Sequence, residues 1–400
     1  MDDELLERYA KLIVEVGANV QHGQSVLVTA APDCRRLVRA VAAECYAHGA
    51  RFVDPWYFDP FVKLIRANRA PEDSLELVPP WYPTRILALG EGHGCRISIS
   101  PVTPPGLMSE VDPARAGRDQ LPSLTEMFGV INAKTTNWCV VPWATPDWAR
   151  VVYPALHADA SLAKLWEDLL YVLRFDEPDP AAAWRDRFRQ LHDAAAALDG
   201  AGLDALRFEG PGTDLTVGLL PTSHFANEAP GTTTVDGIVH HPNLPSEEIF
   251  TTPDPGRTEG VVTATKPLDL GGTMVRGLRV RFEEGRAVQI DADEGAEALR
   301  ARCAKDAGAS RLGEVALVDC EGRIGKTGTV FFNTLLDENA ASHLAFGSAY
   351  AIAVGEADHR RINESSIHVD FMIGSNDVAV TGRTRDGSEV PVLREGSWQL

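Results

Sequence analysis

Between residues 5 and 20 apolar side chains recur at helical spacing (Leu5, Leu6, Tyr9, Leu12, Ile13, Val16, Val20), and beyond Gly23 the run at 25–29 reads as a strand. Residues 37–48 repeat the helical period and stop at Gly49, after which 51–54 return to a strand pattern. This alternation predicts an α/β unit, and it continues more weakly to about residue 154. The prolines between 176 and 180 interrupt regular structure. Residues 181–198 then predict an Ala- and Arg-rich helix closed by Gly200. Past that helix the pattern is β: 214–220, 260–266, a hairpin over 274–291 that turns at Glu283-Glu284-Gly285, and a closing hairpin of 378–384 with 389–393. The expected fold class is α/β plus α+β, with an N-terminal α/β domain at 1–180 and a C-terminal domain on mixed β-sheet at 181–400.

Composition narrows what such a chain does. Its 400 residues, 44% hydrophobic, suffice for two domains with sizeable cores. A formal net charge of −19 repels phosphate backbones and anionic lipid surfaces, so neither nucleic acid nor membrane is an expected partner. The acidic start, Met1-Asp2-Asp3-Glu4, and the lack of any run of about 18 apolar residues predict a cytoplasmic protein. Cys34, Cys45, Cys95, Cys139, Cys303 and Cys320 form no CxxC pair, which argues against a zinc ribbon or a disulfide framework and for buried thiols.

The last third concentrates metal-loving groups: Glu248, Glu314, Glu338, His343, His368 and Asp370, with Tyr350 among them. Carboxylates mixed with two imidazoles suit one or two divalent cations acting on water. His368-Val369-Asp370 lies in an alternating run, so both side chains share a face; the same spacing also fits a hydrogen-bonded structural pair. Residues 340–350, if helical, set His343 and Tyr350 two turns apart on one face, with Glu338 approaching from the preceding turn; a capped core helix is the rival reading. Glu248 sits in a Pro-bounded stretch that reads as a loop. Glu314 opens the apolar strand 315–318, at a mouth where an acid need not be buried unpaired. His240-His241 read as structural residues or supports behind the ligands, and the Trp138, Trp143, Trp148 series as core, with a substrate-pocket wall the alternative. No GxGxxG, P-loop, GxSxG or HExxH is present.

Taken in order, the segments 243–251 (NLPSEEIFT), 337–347 (DENAASHLAFG) and 363–374 (NESSIHVDFMIG) resemble the M29 family of metallo-aminopeptidases, and the resemblance spans essentially the whole chain. It implies that Glu248, Glu314, His343, His368 and Asp370 hold two divalent cations (Zn, Co, Mn or Mg), with Glu314 a candidate bridge. It further implies that Glu338 is a ligand or the general base, that Tyr350 is the catalytic tyrosine, and that the C-terminal domain carries the metals. The implied substrates are peptides with a free N-terminus, and the implied assembly is a homodimer. Two alternatives stand beside it: a mononuclear iron ring-cleaving dioxygenase of the 2,5-dihydroxypyridine type, which needs only two His and one carboxylate, and a non-catalytic metal-binding scaffold.

Overall fold

The computed structural model describes residues 1–400 except 102, 120, 122–124, 228–231 and 320–321. The chain divides into two compact units, residues 1–187 with 228–246, and residues 188–227 with 247–400.

In the first unit four parallel strands, β1 (Ser25–Ala30), β2 (Phe52–Tyr57), β3 (Cys95–Ser100) and β4 (Asn137–Pro142), lie in the order β2-β1-β3-β4. Parallel pairing requires crossovers, and helices at Arg35–Ala47, at Pro60–Arg69 and Thr84–Glu91, and at Pro113–Arg118 and Thr125–Asn132 supply them. Val26, Val28, Ile97, Ile99 and Val141 are buried, as strands covered on both faces demand. The first helix departs from expectation: α-helical at Asp3–Leu12, it widens to a π-helix at Ile13–Gly17. Its Tyr9 hydroxyl donates to the Pro142 carbonyl at 2.7 Å. Five cysteines are buried, and burial pushes the Cys34, Cys45 and Cys303 thiols up to about 12; Cys320 lies outside the described residues. Among the described residues no helix is long and apolar enough to cross a membrane.

The second unit begins with the helix expected at 181–198, which spans Pro180–Gly200 across the division between units. The strands of its two larger sheets are β5 (Leu203–Gly210), β6 (Thr213–Leu219), β7 (Glu248–Thr251), β8 (Pro253–Thr263), β9 (Arg279–Glu283), β10 (Arg286–Asp291), β11 (Leu312–Val318), β12 (His343–Gly347), β13 (His368–Met372), β14 (Ala379–Thr384), β15 (Glu389–Arg394) and β16 (Ser397–Trp398). Eight form an antiparallel sheet in the order β10-β9-β8-β6-β5-β14-β15-β16. The other four, with Ala226–Asn227 at the edge, form a second sheet in the order β13-β12-β11-β7. Both hairpins read from the sequence are present, as β9–β10 and β14–β15.

Aromatic side chains join the two sheets. Phe346 on β12 stacks at 5.8 Å on Phe282 of β9 and at 5.0 Å on Phe371 of β13. Each of the three is at most 1% exposed, and removing such a ring from water contributes roughly 1.5–3 kcal/mol. Leu344, Phe346, Val315, Leu317 and Ile249 thus turn one face of the smaller sheet into core. The alternating residues are left for the opposite face.

Candidate metal centre

That opposite face carries the chemistry. Directly paired residues in an antiparallel sheet project to the same side, so register alone assembles the site. Glu314 pairs with Ala345, and Ala345 with Asp370; His343 pairs with Ala316 and Met372; Gly347 pairs with His368; Glu248, first residue of β7, pairs with Val318. The residues between the acids and imidazoles are small: Ala316, Ala345 and Gly347.

Three expectations are corrected. Residues 343–347 form a strand, not a helix, because pairing with β11 and β13 overrides the local helical preference of an Ala-rich segment. His343 and Tyr350 therefore do not share a helix face. Glu248 is the buried start of a strand instead of a loop acid. Glu314 lies inside β11, only 5% exposed, and not at an open mouth. The register of β11 against β12 slips between Leu312 and Glu314. This irregularity sets Leu312 opposite core-facing Phe346 but Glu314 opposite Ala345, which re-aims the acid onto the metal face. Gly313 is required there, since a Cβ would come within 2.3 Å of the Gly347 carbonyl oxygen.

The donors fall into two groups that share one residue: Glu248, Glu314 and His343, then Glu314, His368 and Asp370, with the ligand atoms of each group within 4.8 Å of one another. His343 Nε2 lies 3.2 Å from Glu248 Oε2 and 3.6 Å from Glu314 Oε1. His368 Nε2 lies 3.4 Å from Glu314 Oε2 and 3.3 Å from Asp370 Oδ1. Each Glu314 oxygen thus faces a different imidazole. The far ring nitrogens are held by main chain, His343 Nδ1 on the Glu338 carbonyl at 3.0 Å and His368 Nδ1 on the Ser348 carbonyl at 2.8 Å. Carbonyls only accept, so both Nδ1 atoms carry hydrogen and both Nε2 atoms face the carboxylates, donating to them when the ring is protonated and able to ligate when it is neutral. Glu248 Oε2 is buried without a well-angled hydrogen bond. Three carboxylates and two imidazole nitrogens crowd into one buried cluster whose negative charge either protons on the imidazoles or a divalent cation can offset, and the residues present fit a cation.

Glu338, in the short 3₁₀ turn Glu338–Ala340, falls in neither group but sits beside both. Burial, then the charges of Asp370, Glu248 and Glu314, raise its carboxyl well above the usual range. The Tyr350 ring lies 5.0 Å from the His368 ring, and its main-chain oxygen accepts from the Thr252 hydroxyl at 2.7 Å. Burial, reinforced by Glu314, Asp370 and Glu338, raises its hydroxyl, which stays a hydrogen-bond donor. Burial works against charge on Glu314 too, but the two imidazoles outweigh it and hold this acid down to about 2. Burial also opposes charge on His343 and His368; the surrounding carboxylates prevail, and both are raised well above the usual imidazole range.

A third donor group, Glu15, Glu44 and His48 in the first unit, is a set of helix-surface ion pairs. His240, buried beside Trp138, joins none of the donor groups among the described residues.

The raised imidazoles fix a pH dependence for the metal-stripped chain. Groups whose folded values lie above their unfolded ones stabilise fully below the unfolded value, ~6.5 for His, and lose that contribution as pH rises through the folded value. Glu338 has the same sign, while Glu314 acts only in acid, towards about 2. The stripped chain is expected to lose melting temperature as pH rises above about 6.5, the unfolded imidazole value, and the cation-loaded chain to lose much less, because cations replace the protons. Calorimetry across that range checks this; a flat profile for the stripped chain contradicts it.

A family model described as thermophilic metalloprotease (M29) matches residues 2–398. The chain belongs to the M29 metallopeptidase family. This M29 chain is 43% identical to aminopeptidase T of Thermus thermophilus and 36% identical to aminopeptidase AmpS of Bacillus subtilis, each over 98% of both chains. The solved structure of wild-type AmpT from Thermus thermophilus superposes with a TM-score of 0.87 at 40% identity, covering 99% of each chain, so the mixed α/β architecture is that of an M29 enzyme. The ring-cleaving oxygenase alternative gains nothing from these relatives.

Proposed function

We propose that this M29 hydrolase is an aminopeptidase that releases N-terminal residues from peptides, with Glu248, Glu314, His343, His368 and Asp370 holding two divalent cations and Glu314 shared between them. The observation that carries the reading is the division of five donors into two groups through the two oxygens of Glu314. Cations bound there supply Lewis acidity, making water nucleophilic near neutral pH and offsetting charge on a peptide carbonyl. Glu338 takes the proton of the attacking water and returns it to the leaving amine, a task its position beside both donor groups allows. Tyr350 donates its hydroxyl hydrogen to the developing oxyanion. The demand for a free N-terminus follows the relatives, which carry the name aminopeptidase. The resemblance also supports a homodimer in the cytoplasm.

The test is hydrolysis of aminoacyl amides and short peptides, free or acetylated at the N-terminus, by metal-stripped enzyme given Zn, Co, Mn, Mg or Fe singly. Restored release from free N-termini alone is expected, and Tyr350→Phe in the same assay should turn over ~10² to 10³ more slowly. Silence with every metal, or equal cleavage of acetylated peptides, would overturn the proposal. Unchanged turnover in Tyr350→Phe would remove that residue from the chemistry.

A further inference from the structure

Asn339 is fully buried next to Glu338, and the chemistry above gives it no part. Its carboxamide is engaged at both ends. Oδ1 accepts from the Glu247 N–H at 2.6 Å, across 92 residues of sequence. Nδ2 donates to the Leu335 carbonyl at 2.9 Å and points at Glu338 Oε1 from 3.5 Å, the outer limit of a hydrogen bond. Turning the amide over would set NH₂ against the Glu247 N–H and oxygen against two oxygens, so the network fixes its orientation. Glu247 immediately precedes Glu248, and Glu248 opens β7. One side chain therefore joins the point where the Glu248 strand begins to the turn that presents Glu338.

We infer that Asn339 is a positioning residue for hydrolysis, setting the Glu338 carboxyl at a fixed place relative to the Glu248 side of the metal face and touching no substrate itself. The inference rests on the reading of Glu338 as the proton carrier. Two substitutions separate its roles. Asn339→Asp keeps an oxygen for the Glu247 N–H but opposes Glu338 with a second carboxylate, whereas Asn339→Ala releases both the strand and the acid.

A double-mutant cycle with Glu338→Gln tests it on the cobalt-loaded enzyme, read as kcat and KM separately. A cobalt titration of each metal-stripped variant by visible absorption supplies a readout independent of turnover. Glu338→Gln should lower kcat by ~10² to 10⁴. Asn339→Asp should lower kcat by ~10- to 100-fold with KM little changed, and the double variant should be no slower than Glu338→Gln alone, because the second residue acts through the first. Asn339→Ala should in addition weaken cobalt uptake by ~10- to 100-fold. Should Asn339→Asp fail to fold, as judged by circular dichroism, Asn339→Ser takes its place in the cycle. Normal kcat in the Asn339 variants, or effects that multiply in full with Glu338→Gln, would show a packing residue and overturn the inference. Near-normal kcat in Glu338→Gln alone would instead remove Glu338 as proton carrier, a separate result that takes the inference down with it.

Discussion

Glu314→Gln is expected to abolish uptake of both cations and to lower kcat/KM by ~10³ or more, the equivalent of the several kcal/mol that bound cations contribute to charge stabilisation. The substitution preserves shape. It exchanges one carboxylate oxygen for an NH₂ that cannot ligate, and it removes the charge that both imidazoles face at 3.6 and 3.4 Å. Because the acid is common to the two donor groups, its loss should differ in kind from that of Asp370→Asn, which touches only one of them. Cobalt stoichiometry by titration makes the comparison. Two tightly bound cobalt ions in Glu314→Gln would dismiss the shared-ligand reading, and equal losses in the two variants would dismiss the division into two groups.

The second large effect requires no ligand to change. Ala345 lies between Glu314 and Asp370 in one cross-strand row, so under the proposed reading its methyl group would lie beneath the space that cations need. Ala345→Leu should fill that volume, eliminate cobalt uptake and reduce turnover to the level of Glu314→Gln. All five proposed ligands would still be present. Overpacking of this kind costs about 1–3 kcal/mol of stability, which a chain of this size is expected to survive, and Ala345→Gly should leave uptake largely intact. Thermal melting separates lost metal from lost fold. Wild-type cobalt affinity in a folded Ala345→Leu would show that the cations do not sit over this part of the face.

Much of this was legible along the chain because it depends on local periodicity. The helix at Pro180–Gly200, the hairpins β9–β10 and β14–β15 and the common face of His368 and Asp370 follow from spacings of three to four or of two. The segment 343–347 shows where local reading fails. Its alternation of His343, Ala345 and Gly347 with Leu344 and Phe346 was a usable strand signal, but the Ala-rich surroundings pointed to a helix, and only partners on both sides decide between them. The irregularity at Gly313 and the reach of Asn339 to Glu247 left no comparable signal, since each depends on backbone brought together from distant parts of the chain.

By itself the sequence determined the period of most elements, the stock of carboxylates and imidazoles and, through whole segments, the family. Tertiary structure decided which of those groups meet. Pairing register places Glu314, Asp370, His343, His368 and Glu248 on one face, the slip at Gly313 turns Glu314 toward it, and burial raises the proton affinity of Glu338 while the neighbouring carboxylates, against burial, raise that of both imidazoles. The physical reason is that periodicity is a property of neighbours in the chain, whereas register, burial and charge coupling belong to neighbours in space.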